Sequence, residues 1–155
     1  MKFKVEVVPE LTESEVTIKC SAIDDNVLML QKALSELLAE REKLVLKKGG
    51  TEYYQDVKEI LFFETDTTSG KVIAHTVKDI YTTDYKLYEL EGILPPFFMR
   101  ISKSAILNVR KVYGITKNIT SSSRIEFSAC TKTVFVSRNY YRDLVSRINI
   151  ERLKI

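Results

Sequence analysis

The chain has 155 residues, of which 45% are hydrophobic and 29% charged, with only five glycines and three prolines. That length suits a single core with at most a small appendage and excludes a multi-domain enzyme, while the composition excludes disordered and fibrous classes. The formal charge of +3 is the sum of two unlike parts: residues 1–99 hold 12 Lys+Arg and 18 Asp+Glu, net −6, whereas residues 100–155 hold 12 Lys+Arg against only Glu126, Asp143 and Glu151, net +9. Such a basic C-terminal third fits a polyanionic partner or, alternatively, a solvated face balanced by the acidic part of the same fold.

In chain order, Phe3, Val5 and Val7 and then Val16, Ile18 and Cys20 alternate with mostly polar residues on either side of Pro9, which predicts two short strands. Asp24 or Asp25 is a good helix N-cap, and Val27, Leu30, Leu34, Leu37 and Leu38 recur at spacings of three and four, predicting an amphipathic helix to about Arg41. This ββα unit, residues 1–42, is too small to bury its apolar stripe alone, so the stripe must dock on the rest of the chain or on another copy.

From Lys43 onward short strands alternate with turn chemistry. Leu44 and Leu46 lead into Gly49-Gly50, a hairpin signal, with Glu52 to Tyr54 returning. ILFFET, the polar turn DTTSGK, KVIAHTV and IYTT continue a meander. Asp84 can cap a short helix carrying Leu87, Leu90 and Ile93, which Pro95-Pro96 ends. Beyond FFMRISKSAILN, strands are expected at about 109–116, 124–130 and 133–137, and a last helix near Asn139 with Tyr141, Leu144, Val145 and Ile148 on one face. The reading is mainly β with peripheral helices, an α+β chain with residues 43–155 as its principal domain.

Enzyme chemistry finds little support. The single histidine, His75, lies in a strand pattern and suits a structural hydrogen bond. Cys20 and Cys130 lack ligand spacing and fit small buried residues of a reducing compartment. No GxxxxGK[ST], GxGxxG, HExxH or GxSxG string occurs, and acidic pairs such as Glu64 with Asp66 or Glu89 with Glu91 are ordinary on solvated surfaces. No catalytic residue, metal, cofactor or small-molecule substrate is expected. The apolar runs fall far short of the ~20 residues that span a bilayer, and the N-terminus has no signal-peptide core, so a cytoplasmic location is expected.

Three stretches instead combine small polar donors with cations at loops or helix starts: TTSGKV at 67–72; RISKSAIL at 100–107, with Ser102, Lys103 and Ser104 opening a possible short helix; and VSRNYYRDL at 136–144, with Ser137, Arg138, Asn139 and Arg142 at a strand-to-helix junction. Hydroxyls and backbone N–H groups so placed receive phosphates well, although each stretch alone also fits a capped, solvated turn.

The order FFETD, IAHT, LYELEGILPPFFMRISKSAILNVRKV and VFVSRNYYRDL resembles the LytTR-type DNA-binding domain of bacterial transcription regulators over roughly residues 45–148. The central string, LxELExxLPxxFxRxxKSxIxN, reads here as Leu87, Glu89, Leu90, Glu91, Leu94, Pro95, Phe98, Arg100, Lys103, Ser104, Ile106 and Asn108. The resemblance implies stacked β-sheets of about ten strands, preceded here by the ββα unit. It also implies a response-regulator-like, sequence-specific binder of double-stranded DNA. The uncovered helical stripe of residues 1–42 is what leads to the expectation of a homodimer on repeated sites, while the resemblance implies loops rather than a recognition helix entering successive major grooves. Its base-contacting loops fall on Ser69, Gly70 and Lys71, on Lys103 and Ser104, and on Ser137, Arg138 and Asn139, with Arg142 beside the third. Gly70 stands where some relatives present a side chain, and Asn139 replaces an Arg found in many, which moves the preference from guanine toward adenine. Asn108 and LYELE are expected to shape the loops.

Residues 1–42 lie outside the resemblance and are too few for the phosphoacceptor receiver domain that many members carry there. Compact regulators of this type are often encoded with a small membrane protein that restrains them, which the resemblance suggests as a partner. Two other readings stand beside the regulator. One is a protein-interaction module that titrates another regulator, which Gly70 and Asn139 would allow. The other is single-stranded nucleic-acid binding, which would use exposed aromatics such as Tyr53, Tyr54, Tyr140 and Tyr141.

Overall fold

The computed structural model describes residues 2, 4–12, 14–40 and 43–152, except the side chains of residues 36–40 and 152. The chain divides into two compact units, residues 1–37 and 38–155. The helix α1 (Asp25–Glu40), most of which belongs to the first unit, starts where expected, because the Asp24 carboxylate accepts a hydrogen bond of 2.9 Å from the Val27 N–H. Val27, Leu30 and Leu34 along it are half-buried, whereas Leu28 and Met29 are exposed.

The two strands predicted before α1 are not formed among the described residues. Residues 4–8 and 14–20 lie outside any strand, around a turn at Pro9 and Glu10 in which the Leu11 N–H donates to the Val8 carbonyl at 3.1 Å. Val5, Val7 and Val16 are 72%, 84% and 74% exposed, and a two-stranded ribbon that buries no face is at best marginal in water. Phe3, which would open the first strand, lies outside the described residues. Cys20, expected to be buried, is exposed for the same reason: the strand that would have turned it inward is absent. Cys130 is half-buried against the core, and both thiols are free.

The second unit is the β domain. A seven-stranded antiparallel sheet comprises β1 (Lys43–Lys48), β2 (Thr51–Asp56), β3 (Phe62–Thr65), β4 (Val72–His75), β5 (Ile80–Thr83), β6 (Phe98–Ser102) and β7 (Ala105–Asn108), in the spatial order β2-β1-β5-β4-β3-β7-β6. A three-stranded sheet holds β8 (Val112–Thr116), β9 (Ser123–Phe127) and β10 (Thr133–Val136), ordered β10-β9-β8. Gly49 and Gly50, at φ of +57° and +79°, make the two-residue hairpin between β1 and β2, a turn that needs positive φ at both positions.

Phe62 on β3 stacks on Phe127 of β9 at 5.4 Å between ring centroids and joins the two sheets. The buried core runs from Leu44 to Ile148 and includes Phe63, Leu107 and Leu144, each 0% exposed. Every such side chain contributes roughly 1.5–3 kcal/mol relative to exposure. The helix α2 (Leu87–Ile93) supplies Leu87 and Leu90 to this core, and α3 (Arg138–Arg152) supplies Leu144 and Ile148, with Tyr141 packed beside them.

Three local expectations change. Asp84 does not cap α2: it pairs with Lys47, and the Glu89 carboxylate instead accepts from the Lys86 N–H at 3.1 Å to close the first turn. The stretch 109–111 is a single 3₁₀ turn, initiated by the Asn108 side chain, and β8 begins only at Val112. Ser102, Lys103 and Ser104 open no helix; they form the tight turn between β6 and β7, because β-pairing of the flanking segments overrides the local capping pattern.

Candidate nucleic-acid interface

The turn between β3 and β4 is built by Asp66. Its carboxylate accepts from the Ser69 hydroxyl at 2.6 Å, the Ser69 N–H at 3.0 Å and the Thr68 N–H at 3.4 Å. The Gly70 N–H donates to the Asp66 carbonyl and the Asp66 N–H to the Lys71 carbonyl, both at 2.8 Å. Gly70 takes a φ of +70°, the left-handed conformation that closes this loop. The Ser69 hydroxyl and N–H, with the Thr68 N–H, hold the Asp66 carboxyl below its ordinary range. Ser69 is thereby largely committed to the turn, its oxygen also accepting from the Lys71 N–H at 3.3 Å. Lys71 is exposed at the edge of the loop.

The β6–β7 turn is held from behind by Arg100. Its Nε donates to the Ser102 carbonyl at 2.8 Å and Nη2 to the Lys103 carbonyl at 2.6 Å, while Nη1 pairs with Glu91 on α2. One planar guanidinium thus ties the helix to the turn, a geometry that lysine cannot reproduce. The Ser102 hydroxyl accepts from the Ser104 N–H at 3.2 Å. With the carbonyl of Lys103 tethered, its ammonium is left at the exposed tip.

The third predicted group lies where β10 becomes α3. Ser137 is half-buried, and Arg138, Asn139 and Arg142 are exposed on the first turns of the helix. Two hydrogen bonds align the three groups. The Thr65 N–H donates to the Ser104 carbonyl at 2.9 Å, joining the first turn to the second, and the Ser137 N–H donates to the Ile101 carbonyl at 2.9 Å, joining the second to the third. The antiparallel register agrees: Glu64 faces Ala105, so β3 ends where β7 begins. All nine predicted residues therefore occupy one end of the domain, where Lys71, Lys103, Arg138 and Arg142 are exposed and the positive end of the α3 dipole adds to them.

Of the residues expected to shape the loops, Glu91 does so through Arg100, whereas Asn108, at the opposite end of β7 from the turn, holds the segment before β3 and the 3₁₀ turn after β7 instead. Asn108 is 1% exposed; its Nδ2 donates to the Ile60 carbonyl at 2.9 Å and its Oδ1 accepts from the Arg110 N–H at 3.1 Å. Of LYELE, Leu87 and Leu90 are core residues, Glu89 closes the helix and Glu91 holds Arg100. His75 is buried, stacked on Phe62 at 4.2 Å, with Nε2 2.8 Å from Glu64 Oε1 and Nδ1 unpartnered. Burial pushes its pKa down, and Glu64 opposes that only in part.

Sequence reasoning passed over two of the builders, Asp66 as the organiser of the first turn and Arg100 as the brace of the second. The Asp three residues ahead of Ser69 was a legible turn signal, whereas the reach of Arg100 back to two carbonyls was not. Among the described residues no group of three or more His, Cys, Asp or Glu is placed to hold a metal ion. No helix among them is long and apolar enough to cross a membrane.

Residues 51–149 match the family described as the LytTr DNA-binding domain. Over 150 residues the chain is 27% identical to uncharacterised HTH-type transcriptional regulators of Staphylococcus aureus strains NCTC 8325 and COL, covering 97% of this chain and 99% of each relative. The fold is also that of the LytTr DNA-binding domain of a Bacillus cereus protein described as a methyl-accepting/DNA response regulator. That likeness has a TM-score of 0.60 at 23% identity and covers 67% of this chain and 96% of the other. The relatives are described as HTH-type, yet no two helices joined by a short turn occur among the described residues here; α2 and α3 are separated by five strands. With ten strands in two sheets, a basic end built from three braced turns and a match spanning most of the β domain, this chain belongs to the LytTR DNA-binding domain family, a family of transcription regulators and not of enzymes.

Proposed function

We propose that the protein binds double-stranded DNA sequence-specifically by presenting its three turns to the grooves and regulates transcription from repeated sites. The alignment of those turns carries the reading: two backbone hydrogen bonds, Thr65 to Ser104 and Ser137 to Ile101, gather Lys71, Lys103, Arg138 and Arg142 on one end of the fold. In this reading Lys103 and Arg138 approach base edges, Ser104, Ser137 and Arg142 approach phosphates, and Asn139 favours adenine through N6 and N7. Gly70 offers no side chain and Ser69 is held by Asp66, so readout at the first turn falls to Lys71.

Occupation of repeated sites calls for two copies, and residues 1–42 supply the pairing element of this proposal. A homodimer makes the second DNA contact intramolecular. A cytoplasmic location accompanies the DNA target, and a restraining membrane protein, where one is present, would compete for the same N-terminal face. Titration of a duplex enriched from a random 40-bp pool (a length of about four helical turns) by the intact protein tests the reading; binding no tighter than to unselected duplex would remove sequence specificity from it.

A further inference from the structure

We propose that the loop between β8 and β9, residues 117–122, is a fourth DNA contact, one that grips backbone phosphates beside the third turn without reading bases. The inference rests on the DNA-binding reading above and extends it to residues within the family match at 51–149 but outside the three turns. Placement comes first. Val136, the last residue of β10, pairs with Ser123, the first of β9. The loop entering β9 therefore emerges at the same end of the domain as Ser137, which is itself bonded to Ile101. The Lys117 ammonium lies 5.3 Å from the centre of the Tyr141 ring, in the first turn of α3 between Arg138 and Arg142.

The chemistry is that of a phosphate ligand set. No acidic residue occurs between Glu91 and Glu126, and the loop reads Lys117, Asn118, Ile119, Thr120, Ser121, Ser122, all of them exposed. Phosphate contacts are made by such lysines, short hydroxyls and backbone N–H groups. The loop is also ordered in advance. Asn118 Oδ1 accepts from the Thr120 N–H and hydroxyl, both at 3.1 Å, and the Ser123 hydroxyl accepts from the Asn118 N–H at 3.0 Å. Beside it lies an open hollow of about 500 Å³, bordered by Lys117, Ser122 and Arg124 on its polar side and by Ile119 and Phe135 on its apolar side. Because phosphates carry no sequence, this loop should add affinity and salt dependence while leaving base preference untouched.

The test uses the intact protein on two probes, a mixed-sequence 40-bp duplex and a duplex enriched from a random pool of the same length, about four helical turns each. Lys117→Ala should flatten the log–log salt slope by about 0.9, one phosphate's share, and weaken both duplexes by the same factor. Lys117→Arg should retain the wild-type slope. Ser121→Glu, which leaves the contact with Tyr141 in place, should weaken both duplexes about tenfold at low salt by setting a carboxylate against phosphates. Thermal melting confirms that each variant is folded. Unchanged slope and affinity in Lys117→Ala and Ser121→Glu, alongside loss in Lys103→Ala, would overturn the fourth contact and leave the DNA reading standing. A changed ratio between the two duplexes would overturn the phosphate assignment. Absence of wild-type binding to either duplex would remove the DNA reading itself.

Discussion

Lys103 and Arg142 are both exposed cations at one end of the domain, but their supports differ. Lys103 sits at the tip of a two-residue turn whose carbonyl Arg100 tethers at 2.6 Å, whereas Arg142 projects from the body of α3. A fixed tip suits a base edge, and a position a full turn into α3, behind Arg138 and Asn139, suits a phosphate. Lys103→Ala should therefore cost about 1–3 kcal/mol on the selected site and relax preference at one position. Arg142→Ala should weaken every sequence alike, and equal scaling of selected and random DNA by both changes would refute the distinction. Arg100→Ala should lower affinity roughly tenfold, the worth of one charge-assisted hydrogen bond, although Arg100 touches no DNA in this account. Arg100→Lys keeps the charge but loses the fork and should recover little of it.

His75 gives a residue-scale pH dependence. With Nε2 turned to Glu64, a second proton would fall on buried Nδ1, which has no acceptor. Burial therefore depresses the folded-state pKa below the ordinary 6.5. The unfolded chain takes up that proton first as pH falls, so stability is full above about 6.5 and declines below it. Urea unfolding of the wild type and His75→Gln between about pH 7.5 and 5 checks this, because the variant should lose part of the decline.

At the scale of elements, the hairpins of the β domain were legible because their signals are local: Gly49-Gly50 needs positive φ, and the apolar segments between turns have nowhere to go but a sheet. The helix α1 was legible from Asp24 and the spacing of Val27, Leu30 and Leu34. The strands before it were not, because alternation of Val5, Val7 and Val16 describes what a segment could pair with and names no partner. Ser102–Ser104 misled for a related reason, since small polar residues favour helix caps and tight turns equally and only the pairing of β6 with β7 decides. The three candidate loops were legible from their hydroxyls and cations and from the resemblance, and Asp66 from its spacing to Ser69, whereas the Arg100 brace spans a strand and a helix and leaves no local signal. Asp66→Ala removes the acceptor of three hydrogen bonds, so duplex affinity should fall several-fold and amide exchange in 67–71 should rise while the melting of the domain hardly moves. Wild-type exchange rates in that loop would contradict the role given to Asp66.

For the whole molecule, the buried core of the β domain, among the described residues, runs from Leu44 to Ile148. Residues 43–155 are therefore expected to fold and to bind a single half-site without the N-terminal segment. The match to the Staphylococcus aureus relatives covers 97% of this chain, and in the proposal above the stripe of α1 is the face for a second copy. Deleting residues 1–42 should leave half-site affinity close to wild type and abolish cooperative filling of two half-sites, measured by titrating duplexes with one and two sites. A strictly monomeric mass for the intact protein by light scattering at micromolar concentration would contradict the pairing role.

The central claim, that the end of the domain carrying Lys71, Lys103, Arg138 and Arg142 is a surface for duplex DNA, is tested most directly by the affinity of the intact protein for duplex as a function of salt. Contacts to roughly five to seven phosphates per protomer give a log–log slope of about −4.5 to −6.3 per protomer. A slope near zero would contradict the claim and favour a protein-interaction module with the same fold.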